Sequence, residues 1–215
     1  MGSKYSLAIF DLDGTLADTS GLIFDSFNFV ARKYRNMELT PQQIMSYFGP
    51  PEEVALKNIF GDGDFDSLWR DYLDYYKDHS EKSSVFDGIR EILVRLKDAG
   101  CKLAVFTGKG DHTTELTLSH HDMKSLFDLI VTGSMLKNHK PDPEGVELAL
   151  KTLRVRPPDA VVVGDSLSDY KAATAAGVNF IAATYDSLAR NRFDKIDCAK
   201  AASVGELSEL LLDGK

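Results

Sequence analysis

Cysteine is nearly absent from this sequence: Cys101 and Cys198 are the only two among 215 residues, and they stand far apart. No C-x-x-C pair or zinc-type spacing exists, so a cysteine metal site or redox motif is excluded and nothing argues for an oxidising compartment. Cys101 opens an apolar run and reads as a small core residue. Long hydrophobic runs are missing too. No stretch nears the ~20 apolar residues of a membrane span, and no basic-then-apolar signal segment stands at the N-terminus. A soluble, cytoplasmic protein with no membrane partner is expected. Positive charge is in deficit, with 25 Lys and Arg against 33 Asp and Glu giving a net charge of −8. That balance argues against nucleic acid as a partner. A phosphorylated small molecule stays open, because it needs only local positive charge. The five histidines show no metal spacing, and the adjacent His120 and His121 point different ways on a helix, which favours surface or capping roles.

What is present is an ordinary globular composition, 43% apolar and 27% charged, in a chain long enough for one sizeable domain or a core with an inserted subdomain. Five short apolar runs bounded by turn residues read as buried strands: Leu7–Phe10, Leu103–Phe106, Leu129–Val131, Ala160–Val163 and Phe180–Ala183. Helical patterns separate the last four. Ile89, Ile92, Leu93 and Leu96 follow helical spacing and stop near Gly100, a C-cap candidate; Val146, Ala149, Leu150 and Leu153 repeat the pattern. A third helix is expected from about Asp169 to Gly177. This alternation predicts an α/β fold, a Rossmann-like parallel sheet flanked by helices.

Between the first two strands the pattern changes. From Gly21 to Ser83 only helical periodicity is visible, with Ile23, Phe27, Val30 and Tyr34 on one face and Phe65, Leu68, Tyr72, Tyr75 and Tyr76 on another. A strand–helix–strand crossover needs far fewer residues. The expectation is a catalytic core of residues 1–18 and 84–215 and an α-helical cap inserted at 19–83. The aromatic stripe reads as cap core rather than a platform for stacking bases.

In open parallel sheets ligands bind beyond the carboxyl ends of the strands, where strand order reverses. After the first strand comes "DLDGTLADTS", with Asp11, Asp13 and Asp18; after the second, "TGKG" with Thr107; after the third, a loop carrying Lys140; after the fourth, "GDSLSD" with Asp165 and Asp169. Crowded carboxylates repel, and a cation that offsets the repulsion makes the cluster tolerable. Mg²⁺ suits oxygen donors and commonly takes one or two carboxylates plus substrate phosphate. Asp11 and Asp165 are candidate metal ligands, with the main-chain carbonyl of Asp13 as a third donor.

D-x-D-G-T-L, then Thr, then Lys-Pro, then G-D-x-x-x-D, in that order and spaced over nearly the whole chain, resembles the haloacid dehalogenase superfamily. Within it the first motif is similar to the phosphoglycolate phosphatase and pyrophosphatase groups. The resemblance implies Mg²⁺-dependent hydrolysis of a small phosphorylated metabolite. It makes Asp11 the nucleophile that forms an aspartyl-phosphate and Asp13 the general acid and base. Thr107 and Lys140 would hold the phosphoryl group, Asp165 would bind metal, and Asp169 would support the metal shell or Lys140. Main-chain N–H groups around Leu12, Gly108 and Lys109 would cradle phosphate. Asp13 sets the chain apart from relatives that expel halide, which needs no proton, and from those that cleave phosphonates, which likewise lack an acid there and use a cap lysine. A β-phosphoglucomutase-like mutase is an alternative, weakened by Gly14-Thr15 where that group usually has Gly-Val. A pyrophosphatase is another, and a non-catalytic phosphate-binding protein is the reading outside enzymology.

Several residues carry two readings. Asp18 either caps the first cap helix or touches substrate. Lys109 either contacts phosphate or is solvated. "FGPP" at Phe48–Pro51 either presents a cap loop to substrate or is a structural turn. Arg32, Lys33, Arg35 and Lys57 are candidate cap cations for an anionic leaving group, against the commoner role of a solvated face. Oligomeric state is not legible.

Overall fold

The computed structural model describes residues 2–61, 63–186, 188–189 and 191–212. Its centre is a six-stranded parallel sheet. Strand β1 (Leu7–Phe10) has no exposed residue. It is followed by the short β2 (Ala17–Asp18) and helices α1 (Ser20–Arg35), α2 (Pro41–Met45), α3 (Glu52–Phe60) and α4 (Phe65–Asp78). The chain returns through β3 (Ser84–Val85), which pairs antiparallel with β2. Then come α5 (Ile89–Asp98), β4 (Lys102–Phe106), α6 (Asp111–His120), β5 (Leu129–Val131), α7 (Glu144–Leu153), β6 (Ala160–Gly164) and α8 (Leu167–Ala175). Strand β7 (Asn179–Ala183), β8 (Ala199–Ala201) and α9 (Val204–Leu211) complete the order.

The sheet runs β5-β4-β1-β6-β7-β8, so strand order reverses at β1, which pairs in parallel with β4 on one side and β6 on the other. Side chains of β1 alternate between two cores, as the two-residue period of a strand requires. Ala8 and Phe10 join Ile92, Leu93 and Leu96 of α5, Leu118 of α6 and Leu207 of α9 on one face. Leu7 and Ile9 join Val146 and Ala149 of α7 and Ala172 of α8 on the other. Both faces are covered, which is why the strands read as continuous apolar runs. Each fully buried Leu, Ile, Val or Phe side chain contributes about 1.5–3 kcal/mol.

The helical segment between β2 and β3 has its own core of Leu22, Ile23, Phe27, Val30, Leu56, Leu68, Tyr72 and Tyr76. The aromatic stripe is therefore packing: Phe27 meets Tyr72 edge-on with centroids 5.4 Å apart, and Tyr72 and Tyr76 are fully buried. Helix α5 ends as its sequence indicates, with Gly100 at φ 79° just past the last turn. Several elements were not read from the sequence. Strand β8 buries only its last residue, and β2 and β3 are two residues each. Helix α6 turns Thr113, Thr114, Thr117 and Leu118 inward, a largely hydroxylic face that gives no apolar stripe.

Candidate active site

The reversal at β1 brings three adjacent strand ends together. Asp11 stands one residue past β1, where its N–H still donates to the Val163 carbonyl at 2.9 Å. Thr107 stands one residue past β4, its N–H donating to the Val131 carbonyl at 3.0 Å. Asp165 follows β6 directly. The loop after β5 delivers Lys140, whose Nζ donates to Asp11 Oδ1 at 2.8 Å and to the Phe106 carbonyl at 2.6 Å. The same ammonium pairs with Asp169 Oδ1 at 2.7 Å. Asp169 is held in turn by Ser166, whose N–H and Oγ–H donate to Oδ2 at 3.1 and 2.6 Å. It thus completes a capping box at the start of α8 while orienting Lys140.

One oxygen each from Asp11, Asp165 and Asp169 lie within 4.8 Å of one another, and all three residues are largely removed from water. Burial first, and then the Asp169 and Asp13 carboxylates, raise the Asp11 carboxyl to about 7 against the opposing pull of Lys140. Burial, Asp11 and Asp169 likewise raise Asp165, with Arg192 and Lys140 opposing. Burial alone would lower Lys140, but Asp11 and Asp169 prevail and hold it charged. Buried hard oxygens carrying more negative charge than their neighbours offset are a donor set suited to Mg²⁺. Gly14 makes the approach possible: it sits at φ 76°, and a Cβ there would come within 2.9 Å of Asp165 Cγ.

Asp13 faces a different partner set. Thr19 Oγ1 donates to Asp13 Oδ1 at 2.5 Å, and Lys109 Nζ lies 3.4 Å from the same oxygen. Asp13 is thus outside the carboxylate cluster, and the main-chain donor expected of it is a separate matter from its side chain. Lys109 is not solvated. Its side chain is 3% exposed, its ammonium lies 3.1 Å from Glu52 Oε1, and it stands 4.9 Å from the centre of the Tyr76 ring. These are charge contacts without a formed hydrogen bond, and Lys109 lines the cavity. Burial alone would lower Lys109; Asp13 and Glu52 more than compensate and hold it charged. Its main-chain N–H donates to Thr107 Oγ1 at 3.2 Å.

These groups border a cavity of about 420 Å³. Asp11, Asp13, Thr107, Gly108, Lys109, Lys140 and Asp165 all line it. Leu12 is fully buried in the core, so only its main chain is available to a ligand. Asp18 combines its two readings: it accepts from the Ser20 N–H and Oγ–H at 3.1 and 2.7 Å at the start of α1, and it also lines the cavity. So does "FGPP". Phe48, Gly49 and Pro50 face the cavity, while the segment is clamped on the core loops: a Cβ on Gly108 would stand 2.9 Å from the Gly49 carbonyl oxygen, and one on Gly133 3.0 Å from Pro51 Cγ.

The candidate cap cations do not reach this space. Arg32 donates to the Asn28 carbonyl, Lys33 pairs with Asp71, Arg35 donates to the Phe60 carbonyl and Lys57 pairs with Glu53. Sequence reasoning missed Thr19, Glu52 and Arg192. Glu52 accepts from the Gly110 N–H and the Thr113 hydroxyl, both at 2.8 Å. Arg192 pairs with Asp165 Oδ2 at 2.8 Å. Thr19 follows directly on Asp18, the cap candidate of α1, which is the one local signal for it; nothing in the sequence around Glu52 or Arg192 marks either residue.

A family profile described as "Haloacid dehalogenase-like hydrolase" matches residues 8–183. Phosphoglycolate phosphatase of Nitrosospira multiformis is 33% identical over 211 residues, covering 94% of this chain and 93% of its own. Pyrophosphatase PpaX of Bacillus velezensis is 33% identical over 176 residues, 81% of each chain. Among solved structures, CbbY from Rhodobacter sphaeroides in complex with phosphate superposes with a TM-score of 0.78 at 26% identity, covering 94% of this chain and 96% of its own.

Proposed function

The chain belongs to the haloacid dehalogenase-like hydrolases and is a phosphatase of that family; we propose that it hydrolyses a small phosphorylated metabolite through an aspartyl-phosphate on Asp11, with Mg²⁺ as cofactor. The observation that carries the reading is Asp11 itself. A buried carboxylate at the mouth of β1 is fixed by Lys140 at 2.8 Å, with oxygens of Asp165 and Asp169 within 4.8 Å. An unreactive fold gains nothing from that concentration of charge.

In the first step an Asp11 oxygen attacks phosphorus and the bond from phosphorus to the ester oxygen breaks. Asp13, two residues on, gives its proton to the departing oxygen. Lys140 offsets the charge of nucleophile and phosphoryl group as they approach, while Thr107 and Lys109 receive phosphoryl oxygens. In the second step water attacks phosphorus, Asp13 takes its proton, and Asp11 is released with inorganic phosphate. Asp11 and Asp165, supported by Asp169, would hold Mg²⁺. When bound, that ion supplies the positive charge that lets two anions meet and keeps Asp11 ionised near neutral pH.

Phosphate release from p-nitrophenyl phosphate tests this. Activity should require Mg²⁺, vanish in chelator and return on adding the ion back. Asp11→Asn should retain the fold and lose at least about 10³-fold in turnover, as removal of a covalent nucleophile does. Turnover surviving in Asp11→Asn would sink the mechanism.

A further inference from the structure

Helix α6 opens without a cap of its own. Its Ncap residue is Gly110, which has no side chain to offer the first turn, and the N–H groups at a helix start need acceptors from elsewhere. The insertion supplies one. Glu52, in the first turn of α3, accepts from the Gly110 N–H through Oε2 and from the Thr113 hydroxyl through Oε1, both at 2.8 Å. Pro51 packs beside it: a Cβ on Gly110 would stand 3.6 Å from Pro51 Cβ.

The segment that Glu52 grips follows directly on Thr107 and Lys109. Main-chain bonds fix Lys109 from two directions: its N–H donates to Thr107 Oγ1 at 3.2 Å, and its carbonyl accepts from the Gly133 N–H at 2.8 Å. Its ammonium is held differently. It has no formed hydrogen bond, and opposite charge places it, with Glu52 Oε1 at 3.1 Å and Asp13 Oδ1 at 3.4 Å. Removing the Glu52 charge leaves the pull of Asp13 unopposed by it, and Coulomb attraction draws the ammonium onto the residue that must exchange a proton. One carboxylate of the insertion thus sets where the Lys109 charge stands relative to Asp13.

We propose that Glu52 is a positioning residue for phosphoryl transfer: from the insertion its carboxylate caps α6 and holds the Lys109 ammonium off Asp13, ready for a phosphoryl oxygen. The inference rests on the phosphatase reading above and deepens it. Because Glu52 acts through Lys109, its effect follows the phosphoryl group and is blind to the alcohol attached to it. Glu52 also lines the cavity, and a Glu52 that met the leaving group directly would produce the opposite pattern, an effect that changes from ester to ester.

Glu52→Gln keeps the shape and loses the charge. It is assayed as the whole chain with Mg²⁺, well below its Tm, with the fold checked by circular dichroism. Its kcat/KM should fall at least about tenfold, by the same factor for methyl phosphate as for p-nitrophenyl phosphate. Inhibition by inorganic phosphate, which has no leaving group, should weaken at least about threefold in Ki. In a Lys109→Met background the same substitution should cost less than about threefold, because the charge it positions is gone. If Glu52→Gln does not fold, Glu52→Asp, which withdraws the carboxylate by one methylene, is put to the same comparison with an expected loss of at least about threefold. A smaller loss, a loss that differs between the esters while phosphate inhibition is unchanged, or an undiminished loss beside Lys109→Met overturns the positioning role and leaves the phosphatase reading standing. Failure of the unmutated chain to release phosphate from either ester overturns the phosphatase reading itself.

Discussion

Glu52 joins the helical insertion to the loop after β4 and the start of α6, and its removal should be among the most damaging single changes outside the carboxylate cluster. It is 7% exposed and belongs to α3. Its two oxygens accept from the Gly110 N–H at the start of α6 and from Thr113, each at 2.8 Å, and Oε1 stands 3.1 Å from the buried ammonium of Lys109. Glu52→Ala strips one charge from a buried pair and leaves two donors without their acceptor. Breaking a buried pair from one side costs about 3–5 kcal/mol. For a chain of 215 residues, at roughly 2–4 °C per kcal/mol, Tm should fall by about 6–20 °C.

A double-mutant cycle separates the pair from lost packing. Glu52→Gln keeps the shape and removes the charge; Lys109→Met removes the opposite charge. Each alone leaves the other partner buried with less compensation, whereas the double variant leaves neither. The two destabilisations, measured by urea unfolding, should therefore combine to less than their sum by about 1–3 kcal/mol. Additivity within about 0.5 kcal/mol would refute the claim that Glu52 and Lys109 act as one buried unit, and a Tm loss below about 3 °C in Glu52→Ala would refute its role as the tie to α6.

Two further outcomes concern the carboxylate cluster. Without metal, burial and neighbouring carboxylates raise Asp11 from 3.8 to about 7, so the folded state binds more protons than the unfolded chain between those values, and stability should fall as pH rises from about 4 through about 7, by a few kcal/mol in order of magnitude. Urea titrations in chelator should show that decline and Asp11→Asn should reduce it, leaving the part that Asp165 contributes; a metal-free protein growing more stable over this range would contradict the assignment. Arg192 already serves Asp165 as counter-charge at 2.8 Å, so Arg192→Gln should tighten binding of Mn²⁺, used as a paramagnetic substitute for Mg²⁺, a few-fold because the pair is partly exposed; unchanged or weaker Mn²⁺ binding would show that Arg192 does not compete with a cation there.

The sheet was legible because it is covered on both faces. A strand such as Leu7–Phe10, with no exposed residue, must be apolar at every position, and that run cannot be mistaken for a surface helix. Strand β8 escaped for the converse reason: two of its three residues face water and one is a lysine, so nothing in its composition demands burial. Helix α6 escaped because its inward face is mostly threonine, whose hydroxyls find partners inside. Thr117 donates to the Thr113 carbonyl and meets Tyr76 across the boundary with the insertion. A hydrophobic stripe is only one way to fill a buried face.

The site divides along the same line. Asp11, Thr107 and Asp165 each stand within a residue of a buried strand's end, so their positions relative to one another are set by main-chain pairing between β1, β4 and β6. A short local motif is enough to specify them. Glu52, Arg192 and Phe48 reach the cavity from loops and helix ends whose placement depends on tertiary packing, such as the contact of Gly49 on Gly108. No local pattern encodes that contact. The groups from the strand ends carry charge, while the insertion contributes mostly apolar and aromatic surface to the cavity lining. Replacing the insertion's apolar lining residues should therefore change which ester reacts before it changes how phosphorus is transferred.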